Sequence, residues 1–208
     1  MKTSKLLVYS VAALLGAASL SARGQSFSAT LDGISPGLTN NGTWNGSFFF
    51  DYPAGVMNFS GDYEFSAFCV QPLEDITFGE TLVYNIQNPL SLANSDIVAR
   101  LVGAYLSSAP SDETAAAVQW AIWEVTTEVN PVKTLFDGTV SITVPAGNAT
   151  ATLADQYLAN VMTYSPVAFT YLTNATRQDV ITWNVVPEPT TAGLAVISGL
   201  LLLRRRRA

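Results

Sequence analysis

The chain predicts an α+β fold: an antiparallel β-sheet or sandwich carrying a small helical insertion. Three observations predict it. Residues 25–90 alternate aromatic and β-branched residues between turn signals. Residues 91–165 switch to apolar stripes at helical spacing, and residues 166–186 return to strand-like alternation. With 208 residues, 49% of them hydrophobic and 12% charged, there is material for one domain with a real core between two atypical ends.

The strands come first. Turn signals stand at Asn40-Asn41-Gly42, Asn45-Gly46, Pro53-Ala54-Gly55 and Ser60-Gly61-Asp62, and place strands near 26–32, 43–51, 56–70 and 80–86. Phe48, Phe49 and Phe50 read as core and sheet packing. In the third of these strands, alternation puts Tyr63, Phe65, Ala67 and Cys69 on one largely apolar face, so the thiol of the only cysteine should point inward.

The helices follow. Ile97, Val98, Leu101, Val102, Tyr105 and Leu106 make a stripe within 91–108, with Asn94, Ser95 or Asp96 available as cap and Pro110 as stop. Ser111 caps the next helix, and Asp112 and Glu113 sit in its first turn, where the helix dipole favours negative charge. That helix is apolar at almost every position from Ala115 to Trp123, so most of its circumference must be buried. The two helices are joined by few residues and should pack antiparallel. A strand is expected at 139–144, a third helix through Leu153, Tyr157, Leu158, Val161 and Met162, and strands at 167–173 and 178–186. All these stripes read as core.

Gln119 is the anomaly of the second helix. Ala115, Ala116, Ile122 and Trp123 share its face, and a buried carboxamide without partners costs roughly 1–3 kcal/mol. Either Gln119 is a structural hydrogen-bonding residue, or its amide has been chemically converted. A cysteine on a strand and a glutamine on a buried helix can meet in a core. There the thiol can displace ammonia from the side-chain carbonyl, leaving an internal thioester. Contact supplies an effective molarity of roughly 10⁵–10⁸ M for that step.

At these residues the chain resembles the thioester domains of bacterial surface adhesins. Cys69 stands between Phe68 and Val70, and Val118-Gln119-Trp120-Ala121 followed by Ile122-Trp123 is similar to the family's Thr-Gln-x-Ala motif with its following apolar residue and Trp. The resemblance implies a Cys69–Gln119 cross-link that opens on an amine-bearing surface or matrix molecule, leaving an amide and a free thiol. Val118 replaces the family's Thr, so that hydroxyl is missing here. The alternative is a non-covalent structural protein of an exopolysaccharide or biofilm matrix, with Cys69 buried and inert.

Composition narrows the chemistry. There is no histidine, which excludes Ser-His-Asp and Cys-His catalysis, and one cysteine cannot hold a metal alone. No cofactor is expected, and the chain is not expected to be an enzyme beyond one autocatalytic turnover. Between Gln25 and Pro187 three basic residues (Arg100, Lys133, Arg177) face fifteen acidic ones, a net −12, which disfavours nucleic acid and attracts cations and amines. Glu74, Asp75 and Glu124 are the acids nearest the motifs; each reads as a solvated carboxylate.

The ends read as addresses. Lys2 and Lys5, the apolar run Leu6–Leu20 and the small residues of Ala22-Arg23-Gly24 make residues 1–24 a secretory signal peptide cut before Gln25. Residues 25–186 form the domain. The tail, residues 187–208, has Pro187-Glu188-Pro189, an apolar run to Leu203, and Arg204, Arg205, Arg206 and Arg207. Its fourteen apolar-side residues rise about 21 Å as a helix against a hydrocarbon core of roughly 30 Å, a marginal span that snorkelling arginines extend. The arginines would fix that end in the cytoplasm. This tail is similar to the PEP-CTERM sorting signal of Gram-negative bacteria. The resemblance implies an inner-membrane anchor, processing by an exosortase, and a final place at the cell surface or in the extracellular matrix, often beside exopolysaccharide.

Overall fold

The computed structural model describes residues 26–128, 134, 135, 139–142 and 148–184. The expected signal peptide, the sorting signal and Lys133 lie outside the described residues. The fold is α+β: a seven-stranded antiparallel sheet among the described residues, with three helices between its fourth and sixth strands. The strands are β1 (Ser26–Trp44), β2 (Ser47–Gly61), β3 (Phe65–Cys69), β4 (Thr81–Gln87), β5 (Val140–Ile142), β6 (Thr170–Thr173) and β7 (Val180–Thr182). The helices are α1 (Ser95–Ser107), α2 (Asp112–Thr127) and α3 (Ala149–Ala159).

The sheet order β2-β3-β7-β6-β4-β1-β5 carries an additional β1–β2 pairing, so six strands close into a ring and β5 extends from β1. Register fixes what points into the ring. Phe27 pairs with Tyr84, Leu31 with Phe59, Phe59 with Phe65, Ala67 with Met57 and Cys69 with Val180; paired residues share a face, and all of these are buried. Phe27, Phe59, Phe65 and Tyr84 fill the interior edge-to-face and stacked, with centroids 4.8–6.4 Å apart.

Several strand bounds differ from expectation. Asn40-Asn41-Gly42 and Pro53-Ala54-Gly55 do not turn the chain; both lie within the long β1–β2 pair, the first at a register shift and the second in consecutive pairing with Thr39, Leu38 and Gly37. Only Asn45-Gly46 makes the hairpin, both residues having positive φ as a two-residue turn requires. The expected strand 56–70 is two strands, broken at Gly61. Phe48 and Phe50 are not core. They are 59% and 76% exposed and lie against each other on the outer side of the hairpin, because nothing among the described residues covers that end of β2. Met162 and Leu106, assigned to core stripes, are also exposed; Met162 falls in a 3₁₀ turn after α3 has ended, so the helical spacing no longer applies to it.

Helix α2 is the centre of the molecule. Ser111 caps it in a full capping box with Thr114. Every residue from Ala115 to Val125 is buried, because the helix packs on β1, β2 and β3 and is covered in turn by α1 and α3. Gly42 of β1 makes room for the Trp120 ring, which a β-carbon would strike. The α1–α2 pair is antiparallel: Asn94 at the start of α1 donates its side-chain amide to the carbonyl of Val125 near the end of α2 rather than capping its own helix.

Candidate functional site

Cys69 and Gln119 meet. The backbone N–H of Cys69 donates to Gln119 Oε1 at 2.9 Å, and Gln119 Nε2 donates to the Cys69 carbonyl at 2.7 Å. The reason lies in the sheet. On the β2 side, β3 pairs Phe65 with Phe59 and Ala67 with Met57, so the next rung would set Gly55 opposite Cys69. Gly55 keeps its pairing with Gly37 of β1, approaching it so closely that a β-carbon would clash, but the β2–β3 register ends at Met57 and Ala67. β2 leaves β3 one rung early, and the side-chain amide of Gln119 takes the vacated place with the donor and acceptor of a peptide group. Gln119 is 1% exposed, and each of its two polar atoms is partnered by one of these bonds.

The slot between the parted strands holds a cavity of about 150 Å³, lined by Cys69, Gln119 and Trp123, by Tyr52, Gln178 and Gly55, and by Asp75, Ile76 and Phe78 from the loop after β3. Cys69 is 2% exposed. Its sulfur accepts from the Gln71 N–H and donates to the Gln71 carbonyl, each at 3.3 Å. Burial pushes the thiol up to about 12; the Trp123 and Gln71 N–H groups oppose that rise, and the carboxylates of Asp179 and Glu74 add to it. The indole nitrogen of Trp123 is buried near the sulfur yet falls short of hydrogen-bond geometry with any partner. Tyr52 donates its hydroxyl to the Pro72 carbonyl at 2.6 Å and packs on the Trp123 ring at 5.5 Å.

The other motif residues are scaffold. Phe68 points to the opposite face of β3, fully buried against Tyr105 of α1 and Trp183. The Val70 carbonyl accepts from Thr126, a second tie between β3 and α2. Ala121 and Ile122 are fully buried in α2. Of the three nearby acids, Glu74 and Asp75 are exposed, but Glu124 is fully buried on α2, contrary to expectation; a helix covered on all sides leaves it no solvated face.

Matched against models of known protein families, curated proteins and solved structures, the chain finds no counterpart. The site is thus defined by its own geometry. Sequence reasoning missed Tyr52, Gln71, Gln178 and Thr126. Only Gln71 carried a signal, as a polar residue two places after the cysteine at a strand end. No cluster of metal-binding side chains is present among the described residues.

The arrangement suits one kind of chemistry. A backbone N–H aimed at a carbonyl oxygen polarises that carbonyl and stabilises negative charge developing on it. The second bond fixes the plane of the amide. The sulfur belongs to the same residue that holds both ends of the carboxamide.

Proposed function

We propose that this chain is an exported surface or matrix protein whose Cys69 and Gln119 form an internal thioester for covalent attachment to amine-bearing partners. The observation that carries the reading is the two-point hold of the Gln119 carboxamide by Cys69 itself. In the forming step the sulfur bonds to the side-chain carbonyl carbon, the C–N bond breaks, and the thiol proton leaves with the nitrogen as ammonia. The Cys69 N–H stabilises the oxygen through the tetrahedral intermediate. A partner amine later takes the carbonyl carbon, and the sulfur is released as a thiol. There is one turnover and no enzyme cycle. Export and anchoring rest on the sorting-signal resemblance of residues 187–208, with an exosortase as processing partner.

A specific observation favours a second reading, a non-covalent structural protein with an inert Cys69. Both polar atoms of Gln119 are already hydrogen-bonded, and burial disfavours the thiolate. Intact mass decides between them. The thioester form weighs one ammonia less than the sequence of the mature chain, methylamine restores and exceeds that mass, and Cys69→Ala shows neither change. A wild-type mass equal to the sum of its residues, with no response to methylamine, leaves only the structural reading.

A further inference from the structure

We infer that Asp75 sets the site's preference for cationic primary amines, by holding the ammonium group at the cavity mouth and taking its proton. This rests on the thioester reading above. Among the described residues that line the cavity Asp75 is the only charged one, and it shares the lining with Cys69, Gln119 and Trp123. It lies on the exposed loop after β3, next to Ile76 and Phe78, which line the same mouth and offer apolar cover for an alkyl arm. The volume of about 150 Å³ is room for about five waters, enough for an extended alkylammonium chain.

The field around the mouth is one-sided. Glu74 and Asp179 lie near enough to act on the sulfur, and Asp75 acts on Tyr52. The two described cations are engaged elsewhere, Arg177 with Glu80 at 2.8 Å and Arg100 with Asp96 at 3.2 Å. A low-dielectric slot lined by one sign of charge concentrates the opposite sign. The Trp123 indole N–H is buried in the same cavity wall, where it acts on the Cys69 sulfur.

An ammonium ion is no nucleophile until it loses a proton. Asp75 accepts that proton, and the neutral nitrogen attacks the carbonyl carbon of residue 119. The C–S bond breaks with its electron pair passing to sulfur, and a second proton from nitrogen passes to that sulfur. The products are a substituted amide at 119 and a thiol at Cys69, and Asp75 returns its proton to solvent.

The test compares methylamine, cationic at neutral pH, with hydroxylamine, neutral at the same pH, by following the mass of wild type, Asp75→Asn, Asp75→Ser and Glu113→Gln. Both Asp75 variants are expected to lower the methylamine rate about tenfold while leaving the hydroxylamine rate within about twofold. Glu113→Gln, exposed in the first turn of α2 and outside the cavity lining, should keep the wild-type ratio. Equal slowing of both nucleophiles, or no slowing of methylamine, overturns the role of Asp75. A wild-type mass lacking the ammonia deficit before any nucleophile is added fails earlier and sinks the underlying thioester reading with it.

Discussion

Two ends of β2 meet opposite fates. At its C-terminal half, Ala54 to Met57 are buried on both faces, because the strand runs between the ring interior and α2. At its N-terminal end, Phe48 and Phe50 are exposed although they are more apolar than anything they would need to cover. The strand is the same; what differs is whether a helix is available. Where α2 arrives, it brings a carboxamide that completes the backbone pairing β2 abandoned, so even polar groups can be buried there. Where no helix arrives, hydrophobic side chains stay in water. Beside this end of β2, the burial of the Cys69 backbone groups thus follows from the carboxamide that α2 supplies.

The largest test of that contrast removes the completing group. Gln119→Leu keeps approximate volume but orphans the N–H and carbonyl of Cys69 inside the core. Each orphan costs roughly 1–3 kcal/mol, so thermal unfolding should drop by on the order of 10 °C. Gln119→Glu sharpens the point. The protonated acid can accept from the N–H and donate to the carbonyl, whereas the carboxylate cannot donate. Its folded pKa should therefore lie above the ordinary carboxylate range, and stability recovered at acid pH should be lost as pH rises through that value. An unchanged melting temperature for Gln119→Leu would mean that β3 holds its end without α2.

Much of this contrast was legible in the residues, and the illegible part has a physical cause. Alternation in Phe27-Ser28-Ala29-Thr30-Leu31 and in Phe65-Ser66-Ala67 gives strands with the correct inward faces, and Ser111 with its acidic first turn gives the start of α2. The continuous apolar run of α2 correctly implies burial all round, and hence a partner for Gln119. What periodicity could not give is the partner's nature. The amide meets the backbone of Cys69, and that depends on the β2–β3 ladder ending at Met57 and Ala67, a long-range register that local spacing does not encode. Pro53-Ala54-Gly55 reads as a turn for the same reason: its glycine serves a close strand approach, which has the same local signature. The Phe48–Phe50 trio misleads because side-chain character alone does not say where the covering helix ends.

The thiol provides a smaller effect, visible only in alkali. In a chain whose Cys69 is a free thiol, burial holds the folded pKa near 12 against an ordinary value of about 9. The unfolded chain releases its proton first as pH rises. Stability is therefore full below about pH 9 and declines between 9 and 12, with a ceiling on the order of 4 kcal/mol. Buried tyrosines such as Tyr52 and Tyr84, also raised by burial, titrate toward the same region, so the informative quantity is wild type minus Cys69→Ala. Denaturant unfolding at a series of alkaline pH values should show that difference widening against the wild type. A thioester-bonded chain has no proton to release at this residue, so there the widening should vanish until methylamine has opened the bond.

The smallest effect belongs to the uncovered end. Phe48→Ser and Phe50→Ser each remove a ring that is mostly in water, so the stability of the isolated domain should change by no more than about 0.5 kcal/mol. The rings do touch, with centroids 6.1 Å apart, and the double variant should therefore fall slightly short of or beyond the sum of the singles, by a few tenths of a kcal/mol. Thr43, opposite Phe48 across the hairpin, is a neutral partner that demands neither ring. Chemical denaturation of the two single variants and the double one measures this directly. A loss above about 2 kcal/mol for either single would place that ring in a packed environment, and the contrast between the two ends of β2 would then rest on something other than cover by α2.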